Sequence, residues 1–452
     1  MKKLILTLSI LSCFNAVADS NENSVWQDFG QNEKNISSIL SDSPLSTLSS
    51  EGAMKQRRLI LDESLLKNQL SQLDSFIVSG KAAKATISSP LTSEISLPLP
   101  DGSMLRVHAT PSLVISAEAA EAHPELKTWS VRGIDDPDIS GVIDFTANGF
   151  HGMLLMPDGD TIFIDPDKKQ SGDVYNSFSK QENTNAFNVA LNCGTHEDHD
   201  HQSHITDPEF AIKAAAKELP VSNFPDVSIS RIKTYRLAMS ATAEYTLEQG
   251  GTAGAFSAMM TSINRINPLF ERDLGIKLEL LDLPELIFVD ADSDPFSQPN
   301  NPSALMIANG QYLSGQDLGQ DIVRNRLNDF DIGHVLSHRT DIRGGSGVAY
   351  LGVVCEDQGG GIAGIKAAGA TTSSNPDGET FDLVLLAHEL GHQLGGNHTF
   401  NSVSSNNCAN GRSGSVAVEP GSGSSIMAYG GLCSSSDNLI ENPRDDFFHF
   451  AS

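Results

Sequence analysis

The sequence predicts an α/β (α+β) protein in two parts, a β-rich unit followed by a mixed α/β sheet, and three observations predict it. From Pro100 to about Pro166, short alternating segments such as 152–156 and 161–164 are separated by turn signals at Asp101-Gly102, Asp135-Asp136-Pro137 and Asp158-Gly159. From about residue 231 to 452, strand-like and helix-like segments alternate, the pattern of a mixed α/β sheet. Between the two lies a polar His/Asp-rich linker, about 168–230. A chain of 452 residues is long enough for two or three folded units, each with its own core.

The elements follow in order. Lys2 and Lys3 precede an apolar run over 4–11, and Ala16-Val17-Ala18 stands before Asp19. This is a secretory signal peptide, 1–18, cut after Ala18; the run is far too short for a membrane span, and no later stretch reaches about 20 apolar residues. The product is expected to be secreted. A periplasmic location is the alternative, as is a lipoprotein acylated at Cys13, although Ile10-Leu11-Ser12 lacks the residue order of such signals. A formal charge of −27 repels nucleic acid and anionic membranes, so neither is expected as a partner, and a soluble monomer is.

Residues 19–90 are rich in Ser, Asn, Gln and Asp and read as loosely folded, with one helix-like stretch over 59–77 and a Ser/Pro/Leu-rich run over 88–100. After the linker, 232–239 is strand-like. Phe256, Met259, Met260, Ile263, Ile266 and Phe270 fall at helical spacing, and Pro268 is expected to end or kink that helix. Strands are expected over 276–280, 285–289, 332–336 and 347–354, and a helix over 317–327 through Leu318, Ile322, Val323 and Leu327.

The chemistry concentrates in Phe381-Asp-Leu-Val-Leu-Leu-Ala-His388-Glu389-Leu390-Gly391-His392-Gln393-Leu394-Gly395-Gly396-Asn397-His398. Residues four apart on a helix lie one turn apart on nearly the same face, so His388 and His392 can point at one ion. Catalytic zinc commonly takes three protein ligands and leaves a fourth position open. His398, six residues past His392, would face away if the helix continued. Gly395 and Gly396 permit positive φ, end the helix and turn the chain back, so that His398 reaches the ion from below the helix end. Glu389 can stand beside the open position without binding the metal, to take a proton from the attacking water and deliver it to the leaving amine.

Downstream comes Ser424-Ser425-Ile426-Met427-Ala428-Tyr429-Gly430, with Met427 placed 29 residues after His398. Together with the histidine pattern this resembles the metzincin clan of zinc endopeptidases, which carry HExxHxxGxxH followed by a Met-turn. The resemblance implies a mixed, mostly parallel twisted sheet with an active-site helix, a Zn2+ cofactor and Met427 as a thioether floor beneath the imidazoles. Thr399 stands where animal reprolysins usually have Asp and astacins Glu. The stretch from about Arg231 to Phe448 nevertheless looks like bacterial reprolysin-like (ADAM-like) peptidases, through 234–238, 271–275, 331–334, 351–355, 398–401 and 419–423, and 100–166 resembles their pro-region. Thr399 with Phe400 leaves a pappalysin-like branch as the alternative. Tyr429, two residues after the Met as in astacins and serralysins, is either a donor to the developing oxyanion or a buried structural tyrosine. The stretch from Gly344 to Leu351 reads as an edge strand to which an extended protein or peptide substrate would add antiparallel. His334 and His338 read as structural, because four-residue spacing favours shared ligation only on a helix.

Five cysteines remain to be placed. Removal of the signal takes Cys13. Cys408 and Cys433 flank the Met-turn, where a disulfide would close the loop. Cys355 is then left either free or awaiting a partner beyond Ser452, since 447–451 reads as the start of a final helix to which His449 belongs. Cys193, in Cys193-Gly194-Thr195-His196-Glu197-Asp198-His199-Asp200-His201-Gln202-Ser203-His204, has three readings: a cysteine switch whose thiolate fills the open zinc position, part of an inert linker, or a neighbour of a second metal site at His196, His199, His201 and His204. The expected organisation is a signal (1–18), a propeptide (19–230) and a metzincin-like zinc peptidase domain (231–452). The expected function is secreted metalloendopeptidase; the alternative is a non-catalytic zinc-binding or adhesion protein that retains the fold.

Overall fold

The structure, a computed structural model, describes residues 24–29, 56–71, 92–168, 173–181, 190–193, 232–316, 325–341, 344–359, 361–434, 436–438 and 445–452. Residues 1–18, with the signal and Cys13, and the histidines at 196, 199, 201 and 204 lie outside the described residues.

The N-terminal part is one nine-stranded antiparallel sheet. Its strands are β1 (Trp26–Asp28), β2 (Gln56–Leu61), β3 (Ser93–Pro98), β4 (Met104–Ser112), β5 (Lys127–Gly133), β6 (Ser140–Thr146), β7 (Gly149–Leu155), β8 (Thr161–Pro166) and β9 (Val174–Ser179), in the spatial order β1-β2-β9-β8-β7-β6-β5-β4-β3. Its central strands are apolar on both faces, and period two sorts the side chains. Ile143, Leu154, Ile162 and Ile164 join Trp26, Trp129, Phe150 and helix α1 (Glu63–Ser71) in one core, whereas Val142, Met153, Phe163 and Phe178 join the C-terminal part in another. The helix-like reading of 59–77 is corrected: Leu59 and Leu61 alternate inward on β2, which pairs with β9, and the helix starts only after Asp62, whose carboxylate accepts from the Leu65 amide (3.0 Å). Parts of 19–90 are thus regular rather than loose, and the strands extend past 100–166 on both sides.

The C-terminal part has mixed α/β structure. Its sheet comprises β10 (Ala190–Cys193), β11 (Lys233–Ala241), β12 (Ile276–Leu280), β13 (Ile332–His338), β14 (Gly344–Ala349) and β17 (Gly369–Ser373), ordered β10-β14-β17-β13-β11-β12; a small hairpin, β15 (Gln358–Gly359) and β16 (Ile362–Ala363), stands apart. All its neighbours are parallel except β14 and β17. One face packs on the long helix and on the histidine helix through Leu237, Met239, Ile332 and Leu336; the other, through Val335, Val348 and Ala370, covers Pro302–Leu313.

Several local expectations are corrected. The long helix (Thr252–Leu274) runs through Pro268 and stops at Gly275, which adopts a left-handed φ of 66°. Pro268 forfeits one backbone hydrogen bond, but Leu269 and Phe270 beyond it are fully buried and Asn267 exchanges two hydrogen bonds with Leu278 on β12 (2.8 and 2.9 Å), so packing outweighs the break. At 285–289 there is no strand: Pro284–Leu286 forms a 3₁₀ turn with Pro at its start. Helix Pro302–Leu313, capped by the Asn301 side chain on the Ala304 amide (3.2 Å), had no counterpart in the reading above. Of the helix expected over 317–327 only 325–327 are described, and they are not helical. β14 ends at Ala349 instead of reaching 354. No helix forms over 447–451; Phe448 instead turns inward, edge-on to Phe270 with ring centroids 5.1 Å apart. Among the described residues no helix is long and apolar enough to cross a membrane.

Candidate metal centre

A π-helical stretch (Thr380–Leu386) leads straight into the α-helix Ala387–Gln393, all of whose residues are buried. It packs beside β14 and β17, with Leu385, Leu386 and Leu390 in the main core. The one-turn spacing aligns His388 and His392. Gly395, at φ 105°, turns the chain back. Only Gly395 of the glycine pair takes positive φ; Gly396 serves close approach, since a Cβ there would stand 3.0 Å from the Gly391 carbonyl.

The result is a cluster of three buried imidazoles whose ligand atoms all lie within 4.8 Å of one another, the sole such metal-capable group among the described residues. His398 Nε2 stands 3.2 Å from His388 Nε2 and 3.0 Å from His392 Nε2. Each Nδ1 faces a backbone carbonyl: His388 donates to Ile426 (2.7 Å), His392 to Gly396 (2.8 Å) and His398 to Gly411 (2.5 Å). A carbonyl only accepts, so each Nδ1 carries the proton and each Nε2 offers a lone pair to the same point. Three lone pairs converging at that distance repel unless a cation sits among them. Burial pushes His388 down to about 4; burial and the neighbouring imidazole push His392 down to about 3, and His398 falls well below its ordinary value for the same reasons. Neutral, pre-oriented nitrogen donors with carbonyl-fixed tautomers are what a divalent zinc ion requires, so the donor set fits the metal.

Other residues close the site. Glu389 is 1% exposed and lies against β14: a Cβ at Gly347 would overlap its carboxylate. A glycine at 347 therefore lets the acid lie directly against the strand. Met427 is fully buried beneath the helix, where a Cβ on Gly391 would approach its Sδ to 2.7 Å. Tyr429 is 1% exposed, stacked on Phe400 (centroids 4.4 Å) and edge-on to His398 (4.6 Å).

Two supports were not anticipated. Thr399 Oγ1 donates to Glu419, a carboxylate that also accepts from the Ser425 hydroxyl and from the amides of Ser424 (2.7 Å) and Ser425 (3.1 Å). Burial alone would raise Glu419, but these hydrogen bonds outweigh it and hold it below its ordinary value. A carboxylate from a separate segment thus stands next to the residue that follows the third histidine, and Thr399 reaches it with a hydroxyl. The second support is Gln393, which bonds His334 (2.8 Å) and the Gly333 carbonyl (2.7 Å) and so ties the histidine helix to β13. His334 is buried in that contact and bonds Thr371 (2.8 Å); His338 lies 3.7 Å from Glu248; neither belongs to the cluster. His449 lies against Phe450, also apart from it.

Cys408 and Cys433 form a disulfide, and Cys355 is exposed and free. The disulfide closes a loop containing both Gly411 and Ile426, two of the three carbonyls that orient the imidazoles. The reading of 344–351 as an edge strand is corrected: β14 ends at Ala349 and is covered on its outer side by β10, which runs parallel to it, takes the edge and sets Cys193 opposite Gly347.

Residues 231–451 match the family model described as metallo-peptidase family M12B, reprolysin-like. This part of the chain is a reprolysin-like metzincin, and the protein is a zinc-dependent peptidase. The match falls on the reprolysin-like side of the choice left open at Thr399. No curated protein matches the chain significantly.

Proposed function

We propose that the protein is a secreted zinc endopeptidase made as a latent precursor, in which 1–18 direct export, 19–230 form the propeptide, and 231–452 act on extended protein substrates. The observation that carries this reading is the convergence of three neutral Nε2 atoms, with every Nδ1 committed to a carbonyl, beside a buried carboxylate.

In this reading His388, His392 and His398 hold zinc over Met427. The metal supplies Lewis-acid chemistry when bound, acidifying a water and polarising the scissile carbonyl. Glu389 accepts the proton of the attacking water at its carboxylate and returns it to the leaving amine. Its place against Gly347 of β14 puts it beside a peptide paired to that strand. Substrate adds to β14 (Gly344–Ala349) through main-chain hydrogen bonds, the two strands antiparallel. In the precursor β10 occupies that position in the opposite direction, and Cys193 at its end would act as a cysteine switch, its thiolate a further ligand for the ion until the linker is cut.

The test uses secreted, processed protein. Zinc near one equivalent, casein cleavage and its loss in Glu389→Ala are expected, with a mature N-terminus within 195–235. A Glu389→Ala protein that still cleaves casein sinks the mechanism; zinc without any cleavage by the unaltered protein points to the non-catalytic zinc-binding or adhesion reading instead.

A further inference from the structure

Removal of a propeptide ordinarily presumes a part that can leave. Here the nine-stranded sheet is continuous with the peptidase core. Val142, Met153, Phe163 and Phe178 are direct cross-strand partners, a single apolar row over β6, β7, β8 and β9. All four are buried in one cluster with Phe256, Met260 and Ile263 of the long helix and with Phe381 and Leu385 of the π-helical stretch that leads into the histidine helix.

That helix is buried on nearly every side: from Gly254 to Phe270 only Pro268 is partly exposed. A helix buried all round needs packing on opposite faces, and the N-terminal sheet supplies one of them through β6. Polar groups are matched across the same seam. Asp144, 1% exposed, accepts from Thr261 (3.0 Å) and Asn264 (3.1 Å); Asn148 donates to the Gly254 carbonyl (3.0 Å); the Ala147 amide donates to Ser257 (3.1 Å). Arg265, 2% exposed, is shared between Asp165 of the sheet and Asp382, one residue past Phe381. Lys180 and Thr161 both meet Asp446 near the other end of the chain. The far edge of the peptidase sheet is also engaged: Leu280 on β12 donates to the Val114 carbonyl (2.8 Å).

We infer that the N-terminal sheet, β1 to β9, is a permanent subunit of the mature peptidase: after the linker is cut the sheet stays bound non-covalently, as the second wall of the long helix. The inference rests on the maturation reading above and deepens it. The surface that holds it is an apolar row ringed by buried hydrogen bonds and ion pairs, and interfaces of that kind are obligate in character.

The test uses the full chain with one protease recognition sequence inserted at two places, between Thr184 and Asn185 and between Lys217 and Glu218, both cut after folding so that β10 is joined to neither part. The two large fragments are expected to co-elute on size exclusion at micromolar concentration, in 1 M NaCl as in low salt, because the seam is mainly apolar. The two tryptophans, Trp26 and Trp129, both lie in the N-terminal sheet. Their fluorescence should therefore report the same urea midpoint as loss of casein cleavage in the cut protein. Separation of the fragments, or a tryptophan transition complete while activity persists, overturns the inference. Co-elution with no cleavage supports the inference and instead counts against the latent-precursor reading, so the two failures are distinguishable.

Discussion

The two sheets of the molecule differ in how far along the chain each strand finds its partner. From β3 to β9 every strand of the N-terminal sheet pairs with the next in sequence, a meander of hairpins. In the peptidase sheet β13 lies between β11 and β17, and β14 between β17 and β10, so the pairings join distant segments. The same contrast recurs inside the site. The three histidines and Glu389 come from one eleven-residue stretch, 388–398. Apart from the Gly396 carbonyl on His392, the groups that hold them in place, Gly347, Gly411, Glu419 and Ile426, come from elsewhere. Chemistry is local here, and its rigidity is assembled at long range.

This division predicts that changes within 388–398 strike rate or metal, whereas changes to the distant supports act through stability. The largest effect is expected from Glu389→Gln, with a fall in kcat of about 10²–10⁴-fold at unchanged zinc content, the range general-base catalysis supplies. His398→Ala should lose the metal as well, which atomic absorption separates from the first case. A Glu389→Gln enzyme within a factor of ten of the original breaks the contrast at its strongest point. Next comes the disulfide. Replacing Cys408 and Cys433 by Ser reopens a loop of sequence separation 25, which chain entropy puts at about 3.5 kcal/mol. Because that loop carries two of the imidazole-orienting carbonyls, urea titration should show the loss of stability and zinc should also be held less tightly. A double variant with an unchanged midpoint and zinc affinity would show that the loop needs no fastening.

The same contrast explains what could be read from the residues alone. Local periodicity reveals the long helix through Phe256, Met260 and Ile263, and β8 through 161–164, since each carries its own pattern. Spacing likewise singles out His388, His392 and His398. Pairing across the chain leaves no comparable mark: Glu419 looks like any acidic loop residue until Thr399 and Ser425 are seen to bond it. The helix-like pattern over 59–77 holds for 63–71 but not for 59–61, whose leucines acquire their meaning only opposite β9. Helix 302–313 was missed because it is apolar around most of its circumference and shows little 3.6-residue contrast.

A third expectation concerns pH and the contact between β13 and the histidine helix. Burial, opposed by the Gln393 hydrogen bond, holds the His334 imidazole down to about 4. An unfolded histidine titrates near 6.5. Between these values the unfolded chain binds a proton that the folded one refuses, so stability is full above about 6.5 and is lost as pH falls toward 4, by a total on the order of 3 kcal/mol. Urea midpoints from pH 7 to 4.5, measured on Glu389→Gln protein to prevent self-digestion, should fall steadily. His334→Gln should flatten part of that slope; an identical slope in both proteins removes His334 as its source.

The smallest effect is expected at Tyr429, where the two halves of the contrast meet. Its ring is packed between Phe400 and His398, as a long-range support would be, and its phenol edge lies beside Gly411, where a Cβ would come within 2.9 Å of the hydroxyl. Tyr429→Phe keeps the ring and removes only the hydroxyl. If the tyrosine acts by packing, kcat and KM both stay within about threefold and the urea midpoint barely moves, as for a change that leaves no cavity. If the hydroxyl donates to the developing oxyanion, kcat falls about 10²–10³-fold with KM unchanged, the signature of a lost transition-state hydrogen bond. The burial of the ring on two aromatic neighbours favours the first outcome. The second would move Tyr429 from the supports of the site into its chemistry, and would show that the local stretch 388–398 does not contain all the groups that act on substrate.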